Sequence, residues 1–239
     1  MGKYPTVFSP FKKYKYRDVK VLLMSMFFRP SDTPKNIIEM LEELTPLVGG
    51  LENSSMAGVI TTDAFAQTLV QYSSIANALN LEIPTYYLEP TNGFSLKMLS
   101  KFSEKSENIL MGKVYTLGEL LDALEMVHDD SFVFVSNFGI LEEIDKKGML
   151  ELRKIVDRKG IFLILSHNAL EINELNLISE FRRLFLIPEL FEHLLVMRIS
   201  GYRGHYRLNL TVLKAPPEFV KNTGEHSIPI DSKIKLILE

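Results

Sequence analysis

The chain has 239 residues, 46% of them hydrophobic and 24% charged, with a formal net charge of -3 at pH 7. This length suits one α/β domain, and the composition argues against disorder and against a global basic field that would attract nucleic acid or anionic lipid. The absence of cysteine excludes disulfides, zinc–thiolate centres and thiol nucleophiles.

Residues 1–19 are basic and aromatic, with Lys12, Lys13, Lys15 and Arg17 set among Tyr and Phe, and with Pro5 and Pro10 against a helix. They read as an arm, followed by a single domain over 20–239. The arm has no apolar signal core, and no run in the chain reaches the about 18 apolar residues of a membrane helix. A cytoplasmic location without a membrane partner is therefore expected. A strand is expected over 20–28. A helix is expected from Thr33-Pro34, with Ile37, Ile38, Leu41 and Leu44 at helical spacing, ending at Gly49-Gly50.

From residue 57 strand and helix alternate. MAGVITT reads as a strand, Phe65–Leu79 as a helix, IPTYYLEP as a strand and Asn108–Tyr115 as another. Thr116 with Glu119 forms a capping box ahead of a stripe of Leu117, Leu120, Leu121 and Leu124. FVFVS (132–136) and IFLILS (161–166) are apolar enough for strands covered on both faces, and Met149, Leu152, Ile155 and Val156 mark the helix between them. A long helical stretch is expected over 170–193, interrupted at Pro188. The chain then predicts an antiparallel hairpin through GYRG and a last strand in KIKLILE. Strand–helix alternation closed by a hairpin implies a mainly parallel sheet with an antiparallel edge.

Five segments in order, 47–60, 86–99 (with NGFS at 92–95), 132–139, 153–169 and the hairpin 194–218, resemble the RecA-type ATPases of archaeal recombination, RadB most of all. The resemblance spans about residues 47 to 230. It implies an α/β fold of RecA-like three-layer α/β/α type, with a mainly parallel sheet and a C-terminal antiparallel hairpin.

The departures from that family are chemical. A phosphate loop needs G-x-x-x-x-G-K-[ST], whose glycines turn backbone N–H groups inward and whose lysine neutralises phosphate. The matching stretch here is TTDAFAQTL, which looks about four residues short when laid on the family. Ala66 replaces the glycine, Gln67 the lysine, Thr68 alone matches the magnesium-binding hydroxyl, and Asp63 adds negative charge. By the same resemblance the metal-binding acid falls on Ser136, the water-activating glutamate on Thr91, and the amide sensor on Asn168. Glu89 matches an acidic position. Phosphoryl transfer rests on positioning and charge stabilisation. The expectation is therefore no ATPase activity, no cofactor and no metal.

Arg198, Arg203, His205 and Arg207 form a second basic group at the hairpin. Arg203, His205 and Arg207 are expected on alternate strand positions, as a patch for nucleic acid or an acidic partner, against the plainer reading of a solvated edge. His128-Asp129-Asp130 reads as a solvated turn. His167, beside Asn168, ends a buried strand without an identifiable nucleophile or second ligand. The leading expectation is a non-catalytic RecA-fold paralogue that partners a recombinase or repair protein. One alternative is a nucleic-acid-binding module using the arm and hairpin. The other is an enzyme of unrecognised chemistry near Ser136 and His167.

Overall fold

The computed structural model describes residues 36–238. The arm with Lys12, Lys13, Lys15 and Arg17, the strand expected over 20–28 and the helix start at Thr33 lie outside the described residues.

A short helix α1 (Thr45–Val48) leads to β1 (Met56–Thr61) and the long helix α2 (Ala64–Asn80). Then come β2 (Thr85–Glu89), α3 (Leu96–Leu99), β3 (Ile109–Lys113), α4 (Leu117–Met126) and β4 (Phe132–Val135). They are followed by α5 (Lys146–Lys159), β5 (Phe162–Asn168), α6 (Leu177–Phe185), β6 (His193–Tyr202), β7 (His205–Lys214), β8 (Gly224–Pro229) and α7 (Asp231–Leu238). The described residues form an eight-stranded sheet in the order β3-β2-β4-β5-β1-β6-β7-β8. β1 to β6 run parallel, and β7 pairs antiparallel with both β6 and β8.

The central strands are apolar on both sides because helices cover both sheet faces. Ala57, Val59, Phe132, Phe134, Phe162 and Ile164 pack on the α2 face. Their alternates Met56, Ile60, Val133, Val135, Leu163 and Leu165 pack with α4, α5 and α6. The architecture is thus a three-layer α/β arrangement with a mostly parallel sheet. Among the described residues no helix is long and apolar enough to cross a membrane.

Most helix starts obey the side-chain capping expected of their sequences. Thr116 accepts from the Glu119 N–H at 3.1 Å, while the Glu119 carboxylate reaches back to the Tyr115 N–H at 2.7 Å, one residue earlier than a capping box requires. Gly160, with φ 69°, terminates α5, since a left-handed stop favours glycine.

Three expectations are corrected. Ile38 is not helical: its N–H and C=O pair with Leu51 in an antiparallel bridge, so its backbone bonds go to a strand-like partner, and the first helical turn among the described residues is the 3₁₀ turn at Glu42–Leu44. The stretch 170–193 is not one long helix. Asn173 and Asn176 cap short segments within it, and Leu186, at φ 55°, ends α6 before Pro188. KIKLILE is helix rather than strand, because Ile230, Ile234 and Ile237 recur at helical spacing against the core. The last strand is the polar segment Gly224–Pro229, which pairs with β7.

Candidate functional site

Parallel α/β sheets place ligands at the carboxyl ends of their strands. Here β1, β2, β4 and β5 end beside the start of α2, and a cleft of about 310 Å³ opens there. Strand alternation puts Thr61, Ser136, Ser166 and Asn168 on the α2 face.

The passage from β1 to α2 is a two-residue turn, Thr62-Asp63. Asp63 holds it closed: one carboxylate oxygen accepts from the Ala66 N–H at 2.8 Å and the other from the Ile199 N–H of β6 at 2.7 Å. One amide from the first turn of α2 and one from β6 thus point at this carboxylate. Asp63→Ala removes a helix cap and strands the Ile199 N–H, and is expected to lower stability by about 1–2 kcal/mol in urea titrations.

Gln67 projects across the strand ends. Its Nε2 lies 3.0 Å from Ser166 Oγ, 3.3 Å from Ser136 Oγ and 3.4 Å from Gln71 Oε1, and its Oε1 accepts from the Thr61 hydroxyl at 2.9 Å. Thr61 also reaches Asn168 Oδ1, at 3.3 Å. Thr68 turns back to donate to the Ala64 carbonyl at 2.8 Å, and Ala66 is buried. Glu89 is buried and accepts from the Tyr87 hydroxyl at 3.0 Å and the Gly93 N–H at 2.9 Å. Thr91 is exposed on the following loop.

The NGFS segment has local physical reasons. Gly93 comes within hydrogen-bonding distance of the Glu89 carboxylate, where a Cβ would lie 3.4 Å from that oxygen. Phe94 lies between the rings of Tyr87 and Tyr72, with centroids 4.4 and 5.3 Å away. Ser95 caps α3 and donates its N–H to the Tyr72 hydroxyl at 2.8 Å. Burial raises the pKa of the Tyr87 and Tyr72 phenols, so both stay neutral donors and acceptors.

The structure therefore brings Gln67, Thr68, Ser136 and Asn168 to one cleft, with Ala66 and Glu89 packed behind it and Thr91 outside. Among the described residues no lysine, arginine, aspartate or glutamate lines the cleft. Thr61, Ser166 and the capping role of Asp63 were not singled out from sequence. Asp63 carried a usable signal, an acidic residue directly before a helical stretch.

Ser136 and His167 are separated. His167 lies on the opposite sheet face beside Gly139, and burial together with the nearby Arg183 lowers its pKa. His128-Asp129-Asp130 is a turn: His128 meets the Tyr86 hydroxyl, Asp129 pairs with Lys159 at 3.6 Å, and Asp130 accepts from Asn53 at 2.6 Å. Among the described residues no group of His, Asp and Glu is arranged to hold a metal ion.

At the hairpin, Arg203 is not on a strand position. With Gly204 it forms the two-residue turn, both at positive φ, and its guanidinium lies 5.0 Å from the Tyr202 ring centroid. Arg198 bonds to Thr62 at 3.1 Å and pairs with Glu174. Arg207 donates to the Ser227 hydroxyl and carbonyl, both at 2.7 Å, and His205 lies 3.3 Å from Asp231. These four side chains do not converge on one open patch.

The fold and cleft define an α/β protein with an uncharged polar site at the strand ends. No family model matches the chain, and no curated protein matches it.

Proposed function

We propose that this chain is a non-catalytic RecA-like paralogue that serves as a structural or regulatory partner in DNA recombination or repair. One observation carries this reading: the position that the resemblance equates with the phosphate-binding lysine is Gln67, and its amide is committed to Ser136, Ser166, Gln71 and Thr61. The closed Thr62-Asp63 turn supports it, because a triphosphate needs a ring of free amides and a cation. A mostly parallel sheet that ends in an antiparallel hairpin agrees with the architecture the resemblance implies.

Calorimetric titration with ATP and magnesium is expected to give no saturable heat up to millimolar nucleotide. A micromolar isotherm, or a triphosphate seated at the start of α2, overturns the reading. Affinity purification from native extract is expected to recover a recombinase or repair protein, which is the partner class proposed. The nucleic-acid reading draws less support, because Arg198 and Arg207 direct their guanidinium groups to partners within the chain.

A further inference from the structure

Among the described residues β3 is an edge of the sheet and pairs with β2 alone. The Val114 N–H donates to the Glu89 carbonyl, so by strand alternation Leu110 and Gly112 turn their backbone groups toward β2. Ile109, Met111 and Lys113 turn theirs to the open edge. The side chains beside this edge are apolar on both faces. Leu110 is 58% exposed and lies next to Tyr86, whose hydroxyl meets His128 at the end of α4, near Met126. Met111 is 50% exposed on the other face, beside Tyr87. No proline interrupts the strand. Long apolar edges invite another strand, and proteins usually blunt them with charge, bulges or proline.

We propose that two copies of this chain join edge to edge through β3, antiparallel, about a two-fold axis at Leu110. In this register Ile109 and Met111 of the opposing strands form the hydrogen-bonded pairs, which matches the backbone groups left open. Leu110 meets its counterpart in the closer, non-hydrogen-bonded pair. Antiparallel joining also brings Lys113, at the end of β3, toward Glu107 in the 3₁₀ turn that precedes Ile109 of the second copy, and the symmetry repeats that approach. Both residues are exposed, and neither has an ion-pair partner among the described residues. The edge is therefore complementary to itself in backbone, apolar surface and charge.

The absence of cysteine makes the test specific. Cα atoms of a non-hydrogen-bonded antiparallel pair lie about 4.5 Å apart, within the range a disulfide spans. Leu110→Cys in the full chain should therefore convert to a covalent dimer under mild oxidation. Met111→Cys should not, because its diagonal counterpart lies about 7–8 Å away. Sedimentation of the wild type should give twice the chain mass of 27.3 kDa at concentrations on the order of 100 µM, and Leu110→Lys should weaken dimerisation at least about tenfold. Glu107→Lys and Lys113→Glu should each weaken it, and together should restore it. A monomeric wild type at that concentration overturns the proposal. So does a dimer indifferent to Leu110→Lys, or equal cross-linking of Leu110→Cys and Met111→Cys.

Discussion

Lowering the pH from 7 to 4 is expected to remove about 3 kcal/mol of folding stability through His193 alone. His193 opens β6 and is buried, with Nε2 3.0 Å from the Val48 carbonyl. A carbonyl only accepts, so Nε2 carries the proton and donates. Nδ1 is then a bare lone pair, buried without a partner. Burial pushes the imidazole down to about 4, and the Val48 bond and Glu52 only partly oppose that. The folded pKa thus lies below the unfolded value of about 6.5. Above pH 6.5 neither state binds the proton and no penalty applies. Between about pH 6.5 and 4 only the unfolded state takes it up, so stability falls as pH falls and levels off below the folded pKa. Urea denaturation at a series of pH values should show this loss in the wild type. In His193→Gln, whose amide can still donate to Val48, the loss should shrink by the same amount. Parallel pH profiles for the two proteins would refute the assignment.

Gln67→Leu is expected to cost about 2–3 kcal/mol although leucine is a good helix former of similar size. The change leaves the hydroxyls of Ser136 and Ser166, both buried, without the amide that joins them, and takes the acceptor from Thr61. Gln67→Glu keeps the acceptor for Thr61 but loses the donor, so it should also destabilise. Adding the triple change Gln67→Leu, Ser136→Ala and Ser166→Ala should recover part of the loss, because an apolar set leaves fewer buried hydroxyls unpaired. Denaturant midpoints for these variants test it. If Gln67→Leu alone is as stable as the wild type, the network holds nothing together.

Much of the architecture is legible in the sequence because one local rule governs it at a time. FVFVS and IFLILS announce doubly covered strands by continuous apolar character, and Asp145, Thr116 and Ser95 sit where helix caps belong. The failures occur where two rules compete. Ile37, Ile38, Leu41 and Leu44 have helical spacing, yet Leu51 claims the Ile38 backbone. Leu186 takes a left-handed conformation that its side chain disfavours, and no residue type marks it in advance. At the cleft, Gln67, Ser136 and Asn168 were legible through the resemblance. Ser166 was not, because a small polar residue at the end of an apolar run has no signature until the facing helix is known.

The orientation of β3 bears on how far association can go. A two-fold pairing consumes the same edge on both molecules, so it closes on itself at that edge. Recombinase-type filaments need head-to-tail contacts that repeat without end. A pair closed through β3 does not extend in that way. Antiparallel joining also sends the strand ends of the two molecules in opposite directions, so their clefts open on opposite sides of the pair.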